Sequence, residues 1–211
     1  MPSVRKNEAQ RLHMAQIAAR LMQEQGIRDF QTAKRKAAQQ LGLDVRDSIL
    51  PRNQEIEAAL AEHQRLFDRD HHSERLRAMR EAALDAMAML EDFQPRLVGS
   101  VLSGLANAYS FIQLHVFADA PETFDLFLQS HGLAYEIIER RLRVARDQYA
   151  FYPVFQLTVG AFDYEITLFK GNDIRQSPLS PVDGAPMRRA NRAKVERLLD
   201  DDALGARLGL G

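Results

Sequence analysis

Apolar positions change their period once along this chain. Up to residue 92 they recur every three or four residues, which is the spacing of one helix face. Residues 7–25 place Met14, Ile17, Ala18 and Leu21 on one face, and Gly26 supplies a stop. Residues 30–41 repeat the pattern with Phe30, Ala33, Ala37 and Leu41. Asp29 stands at the N-cap and Gly42 follows the end. Leu50-Pro51 breaks the chain. Asn53 is then placed to cap a third helix with Ile56, Leu60 and Phe67 inside. The stretch from Asp68 to His72 is wholly polar and reads as a linker. Ser73 opens a fourth helix to Asp92, striped by Leu76, Met79, Ala83, Met87 and Leu90.

Beyond Pro95 the pattern becomes that of strands. Arg96-Leu97-Val98 is a short strand entering Gly99-Ser100, and residues 101–108 form a short helix or turn. Residues 111–118 read as a strand and 121–130 as an amphipathic helix carrying Phe124, Leu126, Phe127 and Leu128. Strands follow at 134–145 and 151–159, joined by the charged turn Arg146-Asp147-Gln148. Residues 162–169 alternate: Phe162, Tyr164, Ile166 and Leu168 on one face, Asp163, Glu165 and Thr167 on the other. That predicts a strand with one polar face. Residues 177–184 are an irregular Pro- and Gly-bearing loop, and 187–200 a last helix. The organisation is a helical N-terminal region over 1–70, an α+β core over 73–200, and a flexible tail over 201–211.

Composition narrows the function classes. The 211 residues carry a net charge of −1. Residues 1–94 hold 15 basic against 15 acidic side chains, so no basic tail or arm is hidden in the balance. Bulk attraction to nucleic acid or a membrane surface therefore has no support. Cys is missing, which excludes disulfides, thiolate zinc sites and cysteine nucleophiles, and fits a reducing, cytoplasmic setting. No run of 18 apolar residues exists, and the polar start lacks a secretory signal's apolar segment.

Candidate chemistry gathers around Gly99-Ser100. Glycine lets a phosphate approach the backbone, and serine adds a hydroxyl. The wider segment runs Gly99-Ser100-Val101-Leu102-Ser103-Gly104-Leu105-Ala106-Asn107-Ala108-Tyr109-Ser110-Phe111-Ile112-Gln113-Leu114. It resembles the motif of the nucleotidyltransferase superfamily, whose fold is shared with DNA polymerase beta. Gly99, Ser100, Gly104, Ala106, Ser110 and Leu114 match, and Glu165 in Tyr164-Glu165-Ile166 matches that family's third acid. Residues 114–119, Leu-His-Val-Phe-Ala-Asp, look like a small bacterial subgroup of it. The resemblance covers about residues 73–170. It implies a nucleotidyltransferase-like mixed sheet with helices, a phosphate or nucleoside triphosphate held at Gly99, Ser100 and Ser110, and two Mg²⁺ ions held by three acids.

Two of those acids are missing, because Phe111 and Gln113 stand in their places. Mg²⁺ takes octahedral oxygen ligands, usually carboxylates with substrate phosphates, and the ion pair stabilises both oxygens of a phosphoryl displacement. Phe supplies no ligand and Gln is a poor one, so Glu165 alone remains as a weak metal ligand. Asp163, His115 and Asp119 are the other groups within range of an altered site. Glu165 also reads simply as a strand carboxylate paired with Arg140 or Arg143. The run Arg140, Arg141, Arg143 and Arg146 could line a phosphate path, since Arg binds phosphate bidentately. Strand alternation would put only some of them on one face.

Three functions stay open on this reading. One is a pseudoenzyme, a nucleotidyltransferase-fold module whose metal site has decayed and which binds a nucleotide, a phosphate or a protein partner without a cofactor. Another is an active Mg²⁺-dependent transferase with an altered site. The third takes residues 11–42 as a helix-turn-helix-like DNA-binding regulator. Against that stands the acidic helix that follows, with Glu55, Glu57 and Glu62, which opposes phosphate contact.

Overall fold

The computed structural model describes residues 2–43, 50–67 and 69–208. The chain forms two units: residues 1–72 with 107–109 and 181–183, and residues 73–106, 110–180 and 184–211.

The first unit holds α1 (Pro2–Gln25), α2 (Phe30–Gln40) and α3 (Asn53–Phe67). Their small apolar stripes are what buries: Met14, Ala18, Ala33, Ala37, Ala38 and Ile56 are all nearly solvent-free. Asp29 caps α2 as its position predicts, accepting from the Thr32 amide at 2.7 Å. The cap of α3 falls one residue earlier than predicted. Glu55 reaches back to the Arg52 amide at 2.7 Å, as the third residue of a capping box does. That frees the Asn53 side chain to donate to the Pro181 carbonyl at 2.7 Å. Gly26 has φ +66°, and a Cβ there would lie 2.8 Å from the Tyr109 ring, so glycine is needed both for its conformation and for that approach.

The second unit is built on α4 (Arg69–Met89), which starts earlier than predicted. Residues 69–72 are helical rather than a linker, because nothing in them breaks a helix. Ser73 is therefore interior to the helix, not its cap. Asp68 and the Phe67 side chain lie outside the described residues. A 3-10 turn (Glu91–Phe93) leads into β1 (Arg96–Val98), α5 (Gly99–Ser103), β2 (Ile112–Phe117), α6 (Pro121–Ser130), β3 (Glu136–Ala145), β4 (Gln148–Val159) and β5 (Phe162–Phe169). A second 3-10 turn (Gly171–Arg175) and α7 (Arg192–Leu208) close the chain. The last helix thus begins later than predicted, since 187–190 run extended with Ala190 bridging Leu97. It also continues through 201–208, where a flexible tail was expected; residues 209–211 lie outside the described residues.

The fold class is α+β, with one mixed sheet in the order β1-β2-β5-β4-β3. The pair β2–β5 is parallel and the other neighbours are antiparallel. One face packs on helices: Ile112, Leu114, Val116, Phe155, Leu157, Ile166 and Leu168 meet Met79, Met87, Phe124 and Leu128. The opposite face carries Gln113, His115, Glu165 and Thr167. This polar side is buried too, since His115, Glu165 and Thr167 are at most 4% exposed. The reason is position. β5 is the central strand, and Arg189, Phe117 and Phe169 gather at this face.

Candidate functional site

The parallel register sets Gln113 directly beside Glu165 on the polar face. The Gln113 Nε2 donates to Glu165 Oε2 at 2.9 Å, and Gln156 Nε2, from the antiparallel neighbour, donates to Oε1 at 2.9 Å. Arg140 reaches over from β3 and grips both oxygens. Its Nη1 lies 2.7 Å from Oε2 and its Nη2 2.7 Å from Oε1. A planar guanidinium fork matches a carboxylate in this way. Burial pushes the Glu165 carboxyl upward, but the donors from Arg140, Gln113 and Gln156 outweigh it and hold the group below its ordinary range.

Gly99 closes the other side of this cluster. Its φ is +71°, and a Cβ there would fall 1.9 Å from Gln113 Oε1. The close approach that glycine permits is thus taken by the Gln113 carboxamide. Ser100 and Ser110 are half-buried, and the Ser100 carbonyl accepts from the Leu105 amide at 2.9 Å. Phe111 is half-buried just before β2 begins at Ile112.

These residues do not fit a pair of Mg²⁺ ions. A carboxylate has about four lone-pair sites, and four hydrogen bonds already fall on Glu165. Among the described residues no second acid hydrogen-bonds or joins a ligand group with it. Asp163 is exposed and accepts from Thr158 Oγ1 at 2.7 Å, while Asp119 is exposed against Gly171. Among the described residues no three His, Asp or Glu side chains come together as a metal-ligand group. Arg140 instead supplies the positive charge at this carboxylate.

His115 lies along the same face but serves a different contact. Arg189 Nε donates to its Nδ1 at 3.0 Å, so the ring is held neutral with Nδ1 as acceptor. Burial, then the charges of Arg189 and Arg140, draw His115 down to about 3. Arg189 lies over the rings of Phe117 and Phe169, at 5.0 and 4.8 Å from their centroids. Its Nη1 donates to the carbonyls of Asp173, Ile174 and Gln176. Sequence spacing offers no signal for this pair, which is separated by 74 residues. The same holds for Arg80, which is buried and pairs with Asp202 at 2.5 Å. It holds also for His13 and His63, which line a cavity of about 380 Å³ between α1 and α3.

No family model matches the chain, and no curated relative matches it. One solved structure, described as "Structural Basis for the Activity of a Cytoplasmic RNA Terminal U-transferase", is similar to it at 20% identity and a TM-score of 0.32. The match covers 56% of this chain and 35% of that one, so this chain spans about a third of that protein's length. Among the described residues no helix is long and apolar enough to cross a membrane.

Proposed function

We propose that the chain is a nucleotidyltransferase-fold binding module that takes a nucleotide or another phosphate ligand without a metal ion. The observation that supports this reading is Glu165 saturated by Arg140, Gln113 and Gln156. A cluster of three carboxylates repels a triphosphate until cations neutralise it. Here one carboxylate and one guanidinium cancel, so a phosphate meets no net repulsion. Arg140 has five N–H donors, and two are committed to Glu165. Its side chain is 31% exposed, which leaves donors open to a ligand. Gly99-Ser100 is tied to the same cluster through Gln113.

The test is calorimetric titration of the native chain with ATP and with pyrophosphate, in chelator and then in excess Mg²⁺. The expected outcome is weak binding that chelator leaves unchanged, and weaker binding in Arg140→Lys, which loses the planar fork. A parallel incubation with radiolabelled triphosphate should transfer no label. Binding that requires Mg²⁺ would overturn the metal-free reading, and label transfer would establish the active enzyme instead. No binding in either buffer would remove the ligand from the proposal.

A further inference from the structure

The arginine run at 140–146 is divided by the sheet. Arg140 turns to Glu165 on one face. Arg141 and Arg143 stand on the other, directly across from Phe151 and Tyr149. This part of the hairpin projects past the rest of the sheet. β4 pairs with β5 only from Val154 onward, so residues 148–153 pair with β3 alone. The tip is a two-residue turn with Asp147 at φ +56°, a conformation Asp tolerates.

The arm exposes what a fold normally hides. Phe151 is 64% exposed and Tyr149 50% exposed. The Arg141 guanidinium lies 3.9 Å from the Tyr149 ring centroid. Arg146 extends into solvent at the tip, with 93% of its side chain exposed. Between residues 140 and 152 there are four arginines and one acid, Asp147. Glu139, at the base of the arm, marks where the basic stretch ends.

We propose that this arm binds single-stranded nucleic acid, with bases stacked on Phe151 and Tyr149 and phosphates met by Arg141, Arg143 and Arg146. Residues two apart on a strand lie roughly 6.6 Å apart on one face, so each ring can take its own base. Base stacking on aromatic side chains needs unpaired bases, whose faces a duplex keeps covered. The Arg141 fork on Tyr149 adds a second planar, cationic surface. A net charge of −1 for the whole chain does not oppose this, because the field that matters is local to the arm. A second copy of the chain fits less well, since it would set arginine against arginine. The surface lies on the face of the hairpin opposite Arg140 and Glu165, so it stands or falls independently of the metal-free site.

The experiment is fluorescence anisotropy of labelled oligo(U), oligo(dT) and a short duplex with the full chain, at low salt and over a salt series. The native chain is expected to bind both single strands, prefer them to the duplex, and weaken as salt rises. Phe151→Ala and Phe151→Leu should each weaken binding about tenfold, while Phe151→Trp should retain it. Arg143→Gln should flatten the salt slope by about one phosphate. These side chains are exposed, and a thermal melt of each variant checks that the fold is kept. Any of four results would overturn the proposal. These are no binding by the native chain at low salt, a duplex bound as tightly as a single strand, Phe151→Leu binding like the native chain, or a Phe151-dependent dimer that oligonucleotide leaves intact.

Discussion

Glu165 and His115 sit on adjacent strands, two residues out of register on one face, yet their neighbours drive them in different ways. Glu165 is kept charged by donors; His115 is kept neutral by burial and by the cation beside it. The His115 case has a measurable consequence. The unfolded chain takes up a proton near 6.5, the folded chain only near 3, so between these values the unfolded state binds more protons. Stability from this residue is complete above pH 6.5 and is lost as pH falls toward 3, on the order of 5 kcal/mol in all. Urea titrations across that window should show the decline. His115→Asn, whose side-chain oxygen can still accept from Arg189, should show a flatter acid limb. An unchanged limb in the variant would assign the acid sensitivity elsewhere. Neither residue's state was readable from its own position, because each depends on an arginine brought from a distant segment.

Among the elements, the turn between β1 and α5 depends most closely on a single side chain of another strand. A Cβ on Gly99 would collide with Gln113 Oε1, and φ +71° strains any L residue there. Gly99→Ala should therefore cost about 2 kcal/mol in backbone strain and more from the displaced carboxamide. In a Gln113→Ala background the collision is gone and only the strain remains. The cost of Gly99→Ala should fall in that background, and a double-mutant cycle by thermal melts reads the difference. Equal costs in both backgrounds would mean that Gln113 moves freely and does not rely on glycine. The Gly-Ser turn, the strand at 111–118 and the alternating strand at 162–169 were all legible from local pattern. That the polar face of β5 is buried as well was not. A period of two shows that one face is polar, but not whether other elements cover it.

On the scale of the whole molecule, the apolar core runs from Leu76 to Val195 and lies entirely within the second unit. A fragment of residues 73–208 is expected to fold alone, with a mixed α/β dichroism spectrum and one cooperative melt. A non-cooperative melt would show that the core needs the helical unit. The first unit draws on residues from far along the chain. Asn107 Nδ2 donates to the Met22 carbonyl at 3.2 Å, Tyr109 Oη to the Glu24 carbonyl at 3.3 Å, and Asn53 Nδ2 to Pro181. Residues 1–72 alone lack those three bonds, at about 1 kcal/mol each, and should melt below the full chain. The sequence by itself determined the change from helical to strand period, the Asp29 cap of α2 and the main turns. These rest on a residue's identity and its near neighbours. Only the tertiary structure decided that Arg140 rather than Arg143 holds Glu165, that Arg189 holds His115, and that Phe151 and Tyr149 stand exposed beside Arg141 and Arg143. Each of these requires groups separated by 6 to 74 residues to meet across strands or loops. Their approach is set by sheet order and register, and no local pattern encodes it.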